Sequence, residues 1–440
     1  MAKSGTLNFR VEGGRKLSGS VTVNSSKNGA VALLAASLLN HSETILRHVP
    51  KIEEVGRLIE VLLSIGVSVK WEKDSLRIRR PEKFSLSKID RVAATRTRSI
   101  LMFVGALVHE LKEFRIPQAG GCKLGSRTVR PHLYALKAFG ISIEAESKTY
   151  VVKRRRLKGA EIVMLEASDT ATVNALLAAA GIPEKSVIKY ASANYQVQEV
   201  CHFLTRLGVS IEGIGTTTMT VVGRRAINTE IEYALSEDPT DAMFFIAAAA
   251  TTHSSIIIRR APIDFLELEL LVLSTMHFRF RLGIPYLSKN GVTRLVDIQT
   301  LPSRLIAAPE KIHARPYPGL NMDNLPFFAV IATQARGATL IHDWVYEKRA
   351  IYYTELDKLG AETLLADPHR ISITGPTPLR AAELVCPPAL RPATIILIGM
   401  LAAKGTSVLR NVYSINRGYA DLVQRVNALG GRIESFGDPT

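Results

Sequence analysis

Cysteine is scarce. The 440 residues hold three, Cys122, Cys201 and Cys386, far apart and with no Cys or His at ligand spacing. An odd, scattered count excludes a disulfide framework and a structural zinc site and leaves at least one thiol free. Long apolar runs are also missing. The longest, such as Ala393 to Ala403, reach about half of the roughly 20 residues that a bilayer span needs. The stretch from Met1 to Thr6 leads into strand-like residues with nothing resembling a signal peptide. These absences predict a cytoplasmic protein. Charged residues make up only 22% of the chain, and the 30 Gly and 20 Pro follow no period, which excludes a disordered chain, a collagen-like repeat and a mucin-like stalk.

What charge there is leans one way. Lys and Arg number 56 against 40 Asp and Glu, a net charge of +16, which fits nucleic acid, acidic lipid or small anionic substrates. The one dense basic run, Lys153 to Arg156, has no interleaved aromatics on which bases could stack and reads as a solvated turn or strand end. With 47% apolar residues, the length is enough for two domains, each with a large core.

The chain repeats itself. A helix-like stretch ending in an apolar residue and a Gly, followed by an alternating strand, occurs at Leu62 to Val69, Leu136 to Glu144, Leu204 to Glu212, Leu356 to Glu362 and Val426 to Glu434. The glycines 66, 140, 208, 360 and 430 stand where a helix C-terminus needs a left-handed residue. The interval from 208 to 360 is about twice the others, so one more copy is expected inside it, at Leu271 to Phe280, with His277 in place of the Gly. Stretches of small and apolar residues keep the same beat: Gly29 to Leu39, Ser99 to Val108, Thr172 to Ala180, Ala242 to Ala250, Leu325 to Thr333 and Ala393 to Ala403. Each is apolar on nearly every face and is predicted to be a fully buried helix. The reading is an α/β protein of six units of about 70 residues, three per domain, with buried helices inside and small sheets outside.

Six such units in two globules resemble the enolpyruvyl transferases, whose fold is a two-domain inverse α/β barrel. Local motifs carry the resemblance further. Lys27-Asn28-Gly29-Ala30 is similar to the Lys-Asn-x-Ala motif of the branch that acts on UDP-N-acetylglucosamine in peptidoglycan synthesis. Gly120 to Arg127 resembles that branch's Gly-Gly-Cys-x-Ile-Gly-x-Arg loop, Pro318 to Asp323 resembles the segment with its catalytic Asp, and Asn416-Arg417-Gly418-Tyr419 matches its Asp-Arg-Gly-Tyr with one change. The chain order of that family implies a first domain of 1–23 plus 237–440 enclosing a second of 24–236.

The resemblance implies transfer of the enolpyruvyl group of phosphoenolpyruvate to a sugar hydroxyl, with no cofactor and no metal. Its partners would be phosphoenolpyruvate and a sugar-nucleotide acceptor, with no role for nucleic acid or membrane. Cys122, in a loop with three glycines and beside Lys123 and Arg127, is in a setting that lowers a thiol pKa and leaves it accessible, and by resemblance it protonates the enol or adds to it. Asp323 would act as the base and Lys27 as a catalytic cation. Asn28, Arg98, Arg127, Ser168, Arg349, Arg391 and Arg417 would bind substrate. Asp323 also stands just before a buried helix, where Asp is a favoured N-cap.

Several positions depart from the family pattern, all on the acceptor side. A family Asp that reads uracil is Arg130 here, an Arg-Glu-Pro-Glu segment is Ala193-Asn194-Tyr195-Gln196, and an Asp-Leu-Arg is Ala389-Leu390-Arg391. Asp238-Pro239-Thr240-Asp241-Ala242 looks closer to the shikimate branch. The phosphoenolpyruvate half therefore reads as retained and the acceptor half as altered. Another nucleotide or sugar-phosphate acceptor, or a catalytically weak binding paralogue, remains alongside UDP-N-acetylglucosamine, and Glu347 and Asp241 are the carboxylates that could stand in at Ala389.

Overall fold

The computed structural model describes residues 7–118 and 129–437. They divide into two compact units, one made of 7–24 with 237–437 and the other of 25–118 with 129–236.

In each unit the stretches of small apolar residues form helices at the centre. One unit buries Lys27–Ala36, Phe103–Leu107 and Asp169–Ala180; the other buries Pro239–Thr251, Leu325–Ala332 and Leu390–Ala402. Alanine and glycine let such helices approach closely. At Gly105 an added Cβ would stand 2.3 Å from the backbone oxygen of Asn174 on the neighbouring helix. In the other unit the gaps are filled by Phe244, Phe245, Phe327 and Phe328, all without exposed surface. Phe244 meets Phe245 and Phe327 edge to face, with centroids 5.1 and 6.4 Å apart. Two of the expected helices differ in detail. The Ser99 to Val108 stretch begins as a 3-10 turn, Arg98–Met102, and becomes α-helical only at Phe103. The Leu356 copy is a 3-10 helix throughout, Ala350–Leu359.

The sheets show the repeat most plainly. In five of the six sheets among the described residues, a parallel pair is followed by two antiparallel neighbours. Glu161–Val163 runs parallel to Lys185–Lys189, which is antiparallel to Thr218–Val222 and through it to Ser210–Glu212. Ile231–Ala234, Thr44–Arg47, Ser75–Arg79 and Ser68–Glu72 follow the same order. So do Glu383–Val385, Gly405–Arg410, Leu7–Gly13 and Arg432–Gly437. The sheet of Glu113–Pro117, Thr149–Arg154 and Ile141–Glu146 is antiparallel throughout. Lys153 and Arg154 end one of its strands, and Lys153, Arg155 and Arg156 are exposed, as a solvated strand end requires.

The helix-to-strand turns confirm the hidden sixth copy. Gly66, Gly140, Gly208, Gly360 and Gly430 all have φ between 88° and 96°. The helix Glu267–Thr275 and the strand Arg279–Leu282 flank His277, whose φ of 63° puts a non-glycine residue in the same left-handed turn. Each unit is thus three repeats of inner helix and outer sheet. No helix among the described residues is long and apolar enough to cross a membrane.

Candidate active site

Three of the expected residues meet in the unit of 7–24 with 237–437. Asp323 precedes the helix Leu325–Ala332, but it is not the cap. Asn324 holds that position, and its side chain makes no capping bond. The Asp323 N–H donates to Oδ1 of Asn321 at 2.8 Å, and its carboxylate faces two arginines. Nη2 of Arg391 lies 3.2 Å from Asp323 Oδ2, and Nη1 of Arg349 lies 4.0 Å from Oδ1.

Both arginines are buried, and each is held from behind. Arg391 sits in the first turn of Leu390–Ala402, the positive end of that helix, where a cation is unfavourable without an anion nearby. Its guanidinium donates to the hydroxyls of Tyr419 at 2.8 Å and Thr240 at 2.9 Å. Arg349 is clamped by Asp343, with Nε 2.5 Å from Oδ2 and Nη2 2.9 Å from Oδ1, and Nη2 also donates to the Met322 carbonyl at 2.7 Å. Burial opposes the Arg349 charge, but the facing carboxylate outweighs it and holds the guanidinium above its ordinary pKa. Tyr353 donates to the same carboxylate, and burial pushes its own pKa up. Asp343 has no exposed surface, and the sequence reading missed it. The only signal was an Asp at the end of the strand Gly337–His342, ahead of Arg349.

The departures in this unit have a physical account. Ala389 is fully buried against Tyr346, the ring over which the Arg349 guanidinium stacks at 4.2 Å, so a methyl group occupies the place of the family carboxylate. Asp241, one of the carboxylates that could stand in there, is engaged by another cation. It is buried, accepts the Asn24 N–H at 2.9 Å and takes both Nη atoms of Arg425 at 2.8 and 2.7 Å. Arg417 follows the short helix Tyr413–Asn416, half-buried, just before Tyr419.

Lys27, Asn28, Arg98 and Ser168 lie in the other unit. The first helix starts at Lys27, two residues ahead of the expected Gly29, because Ser26 caps it by accepting the Gly29 N–H at 2.8 Å. Lys27 Nζ is 2.9 Å from a carboxylate oxygen of Glu54 and donates to Oδ1 of Asn28 at 3.1 Å. Glu54 also accepts from the hydroxyls of Thr97 and Ser99 at 3.1 Å each, and these residues bracket Arg98. The lysine and the start of the Arg98 turn are therefore fixed by one carboxylate. Asn28 donates to the Tyr195 hydroxyl at 2.8 Å. Ser168 stands at the N-cap of Asp169–Ala180 but makes no capping bond with its side chain. Its neighbour Asp169 accepts from Ser192, Asn194 and Gln196, so neutral side chains of the segment that carries charges in the family are tied to one carboxylate here. Cys122 and Arg127 lie outside the described residues. Cys201 and Cys386 are buried, which pushes both thiols up to about 12, the inert behaviour expected of Cys201.

Burial lowers His132 to about 4, and the nearby Arg98 charge adds to the effect. Its Nδ1 lies 3.1 Å from Nδ2 of Asn174, whose Oδ1 accepts the Gly105 N–H at 2.6 Å, so the ring accepts at Nδ1 and is neutral. A histidine depressed from its ordinary value stabilises the fold above about pH 6.5 and loses that contribution as pH falls through 4, a change of roughly 3 kcal/mol. The unfolding free energy of this unit is expected to drop by that order between pH 6.5 and 4. Chemical denaturation across the range checks this, and His132→Gln should flatten the profile.

Among the described residues no group of three or more His, Cys, Asp or Glu could hold a metal ion.

A family model described as EPSP synthase (3-phosphoshikimate 1-carboxyvinyltransferase) matches residues 11–426. The chain is 32% identical over 430 residues to the UDP-N-acetylglucosamine 1-carboxyvinyltransferase of Treponema denticola, covering 97% of this chain and 98% of that one. It is 32% identical over 440 residues to the enzyme of the same name from Porphyromonas gingivalis, covering 97% and 99%. Among solved structures it is similar to the enolpyruvyl transferase NikO from Streptomyces tendae, with a TM-score of 0.86 at 23% identity over 99% of this chain and 100% of that one. EPSP synthase from Acinetobacter baumannii gives 0.74 at 17% identity over 98% and 100%. The structural likenesses speak for the fold, and the match along almost the whole sequence speaks for descent: the chain belongs to the EPSP synthase family of enolpyruvyl transferases.

Proposed function

We propose that this protein transfers the enolpyruvyl group of phosphoenolpyruvate to a sugar hydroxyl of UDP-N-acetylglucosamine, releasing phosphate, in the cytoplasm and toward peptidoglycan precursors. The observation that carries this reading is the Asp323 carboxylate aimed at Arg391 and Arg349, in a chain whose full-length relatives bear that activity in their names. Asp323 takes the proton of the acceptor hydroxyl as its oxygen bonds to C2 of the enol. Cys122 delivers a proton to C3 or adds covalently. The C2–O bond to phosphate then breaks, the electron pair leaves with phosphate, and loss of a C3 proton restores the double bond. Lys27, Arg98, Arg127, Arg349, Arg391 and Arg417 hold the phosphate, carboxylate and diphosphate charges, and Asn28 and Ser168 bind substrate.

A second reading keeps the chemistry and changes the acceptor. It is favoured by the neutral Asn194 and Gln196 side chains and by the buried Ala389, in segments where the family carries charge.

Phosphate release from phosphoenolpyruvate tests both. Release is expected with UDP-N-acetylglucosamine and should fall by about 10²–10⁴-fold in Cys122→Ala. Release only with another nucleotide or sugar phosphate transfers the assignment to the second reading. Silence with every acceptor leaves a binding paralogue.

A further inference from the structure

We infer that Glu269 is a positioning residue that sets the Asp323 carboxylate through a two-bond relay, an inference that rests on the assignment of Asp323 to the acceptor hydroxyl. Glu269 belongs to the helix Glu267–Thr275, and its side chain is 2% exposed. A carboxyl group is rarely that deep without a task or a partner. Burial pushes its pKa above the usual range, and no cation pairs with it in the contacts that hold it.

Its contacts run to the Asp323 loop. Oε1 accepts the Asn321 backbone N–H at 3.0 Å and the Asn324 side-chain amide at 2.8 Å. Asn321 then accepts the Asp323 N–H on its own Oδ1 at 2.8 Å. One buried oxygen therefore fixes the residue that orients Asp323 and the residue at the N-cap of the following helix. The backbone of the loop has other ties: the Asn321 carbonyl accepts from the Asn324 and Leu325 N–H groups, and the Met322 carbonyl accepts from Arg349. Asn321 Nδ2 and Asn324 Oδ1 are buried with no hydrogen-bond partner, so Glu269 Oε1 is the acceptor that anchors the Asn321 N–H and the Asn324 side-chain amide. Loss of Oε1 would leave two more buried donors unpaired, and the loop would have to shift to find partners.

The effect should appear in turnover more than in binding. Asp323 must stand within hydrogen-bond reach of the acceptor hydroxyl, and a displacement of about 1 Å in such a group costs on the order of 10²-fold in rate. Asp343 holds Arg349, and Tyr419 and Thr240 hold Arg391, from outside this loop, so the charges that hold the substrate anions stay in place even if the Met322 carbonyl moves.

The test is a double-mutant cycle read as phosphate release, with kcat and KM for phosphoenolpyruvate measured separately. Glu269→Leu removes the acceptor and keeps the bulk, and it is expected to lower kcat about 10²-fold while leaving KM close to wild type. Glu269→Gln keeps an oxygen for both donors and should restore most of the rate. Asn321→Leu cuts the last link without touching Glu269, should reproduce the kcat loss, and serves where Glu269→Leu does not fold. In an Asp323→Ala background neither Leu variant should slow the enzyme further. Full multiplication of the effects in that background would overturn the relay, as would a Glu269→Gln variant as slow as Glu269→Leu. Unchanged turnover in Asp323→Ala alone would remove the assignment of Asp323 instead, a separate failure. Exchange of the Asn321 amide hydrogen gives a readout free of turnover: it should quicken in Glu269→Leu and stay slow in Glu269→Gln, and equal rates in the two overturn the inference.

Discussion

Asp323→Ala is expected to lower phosphate release by about 10²–10⁴-fold, the range for removing a positioned base, a far larger effect than its loss of thermal stability. The structure separates the two effects. Asp323 is 24% exposed, does not cap the helix that follows it, and gives its backbone N–H to the loop, a bond that alanine keeps. Arg391 still donates to Tyr419 and Thr240 when the carboxylate is gone. Arg391 nonetheless loses a facing anion at the positive end of its helix, so the stability cost should lie between that of an exposed ion pair, about 1 kcal/mol or less, and that of a fully buried one, about 3–5 kcal/mol. A large fall in melting temperature with modest loss of turnover would reverse the assignment.

Asp343→Ala is expected to do the opposite first. Arg349 and Asp343 are both fully buried, and removing the acid strands a guanidinium in the core and leaves the Tyr353 hydroxyl without its acceptor. Breaking such a pair costs about 3–5 kcal/mol. Turnover should fall as well, because Arg349 loses the clamp that holds it beside Asp323. The chain's two tryptophans make the effect measurable in one unit alone: Trp344 adjoins Asp343, and Trp71 belongs to the other unit. In a Trp71→Phe background, the denaturant midpoint of Trp344 fluorescence should drop on Asp343→Ala. An unchanged midpoint would mean that Arg349 finds another anion.

The contrast between these two acids shows what the sequence could and could not reveal. The place of Asp323 ahead of a buried helix was legible because it sits in a loop of Pro, Gly and Asn before a stretch apolar on every face, a pattern that resembles a known motif. Its role as a cap was a fair inference from the helix start, and the Asn321 side chain overrode it by taking the Asp323 N–H. Asp343 and Glu269 were not legible. Buried acids look like surface acids in a linear sequence, and what buries them is a partner far along the chain or on another element. The inner helices were readable because nothing but full burial suits a run such as Ala393 to Ala403. His277 was readable only through spacing, since its own side chain argues against a left-handed turn, and the backbone adopts it nonetheless.

The arrangement of the terminal strands reaches beyond the site. Leu7–Gly13 lies in the interior of its sheet, with Gly405–Arg410 on one side and Arg432–Gly437 on the other, so Leu7 pairs with Gly437. During synthesis, the unit built from 25–118 and 129–236 has all its strands before the first strand has met either neighbour. The opening residues must wait for nearly the whole chain to leave the ribosome before their hydrogen bonds can close, a long-range pairing of the kind that is slow to form and leaves an unpaired edge in the meantime. Without Gly405–Arg410 and Arg432–Gly437, the strand Leu7–Gly13 is left with open edges.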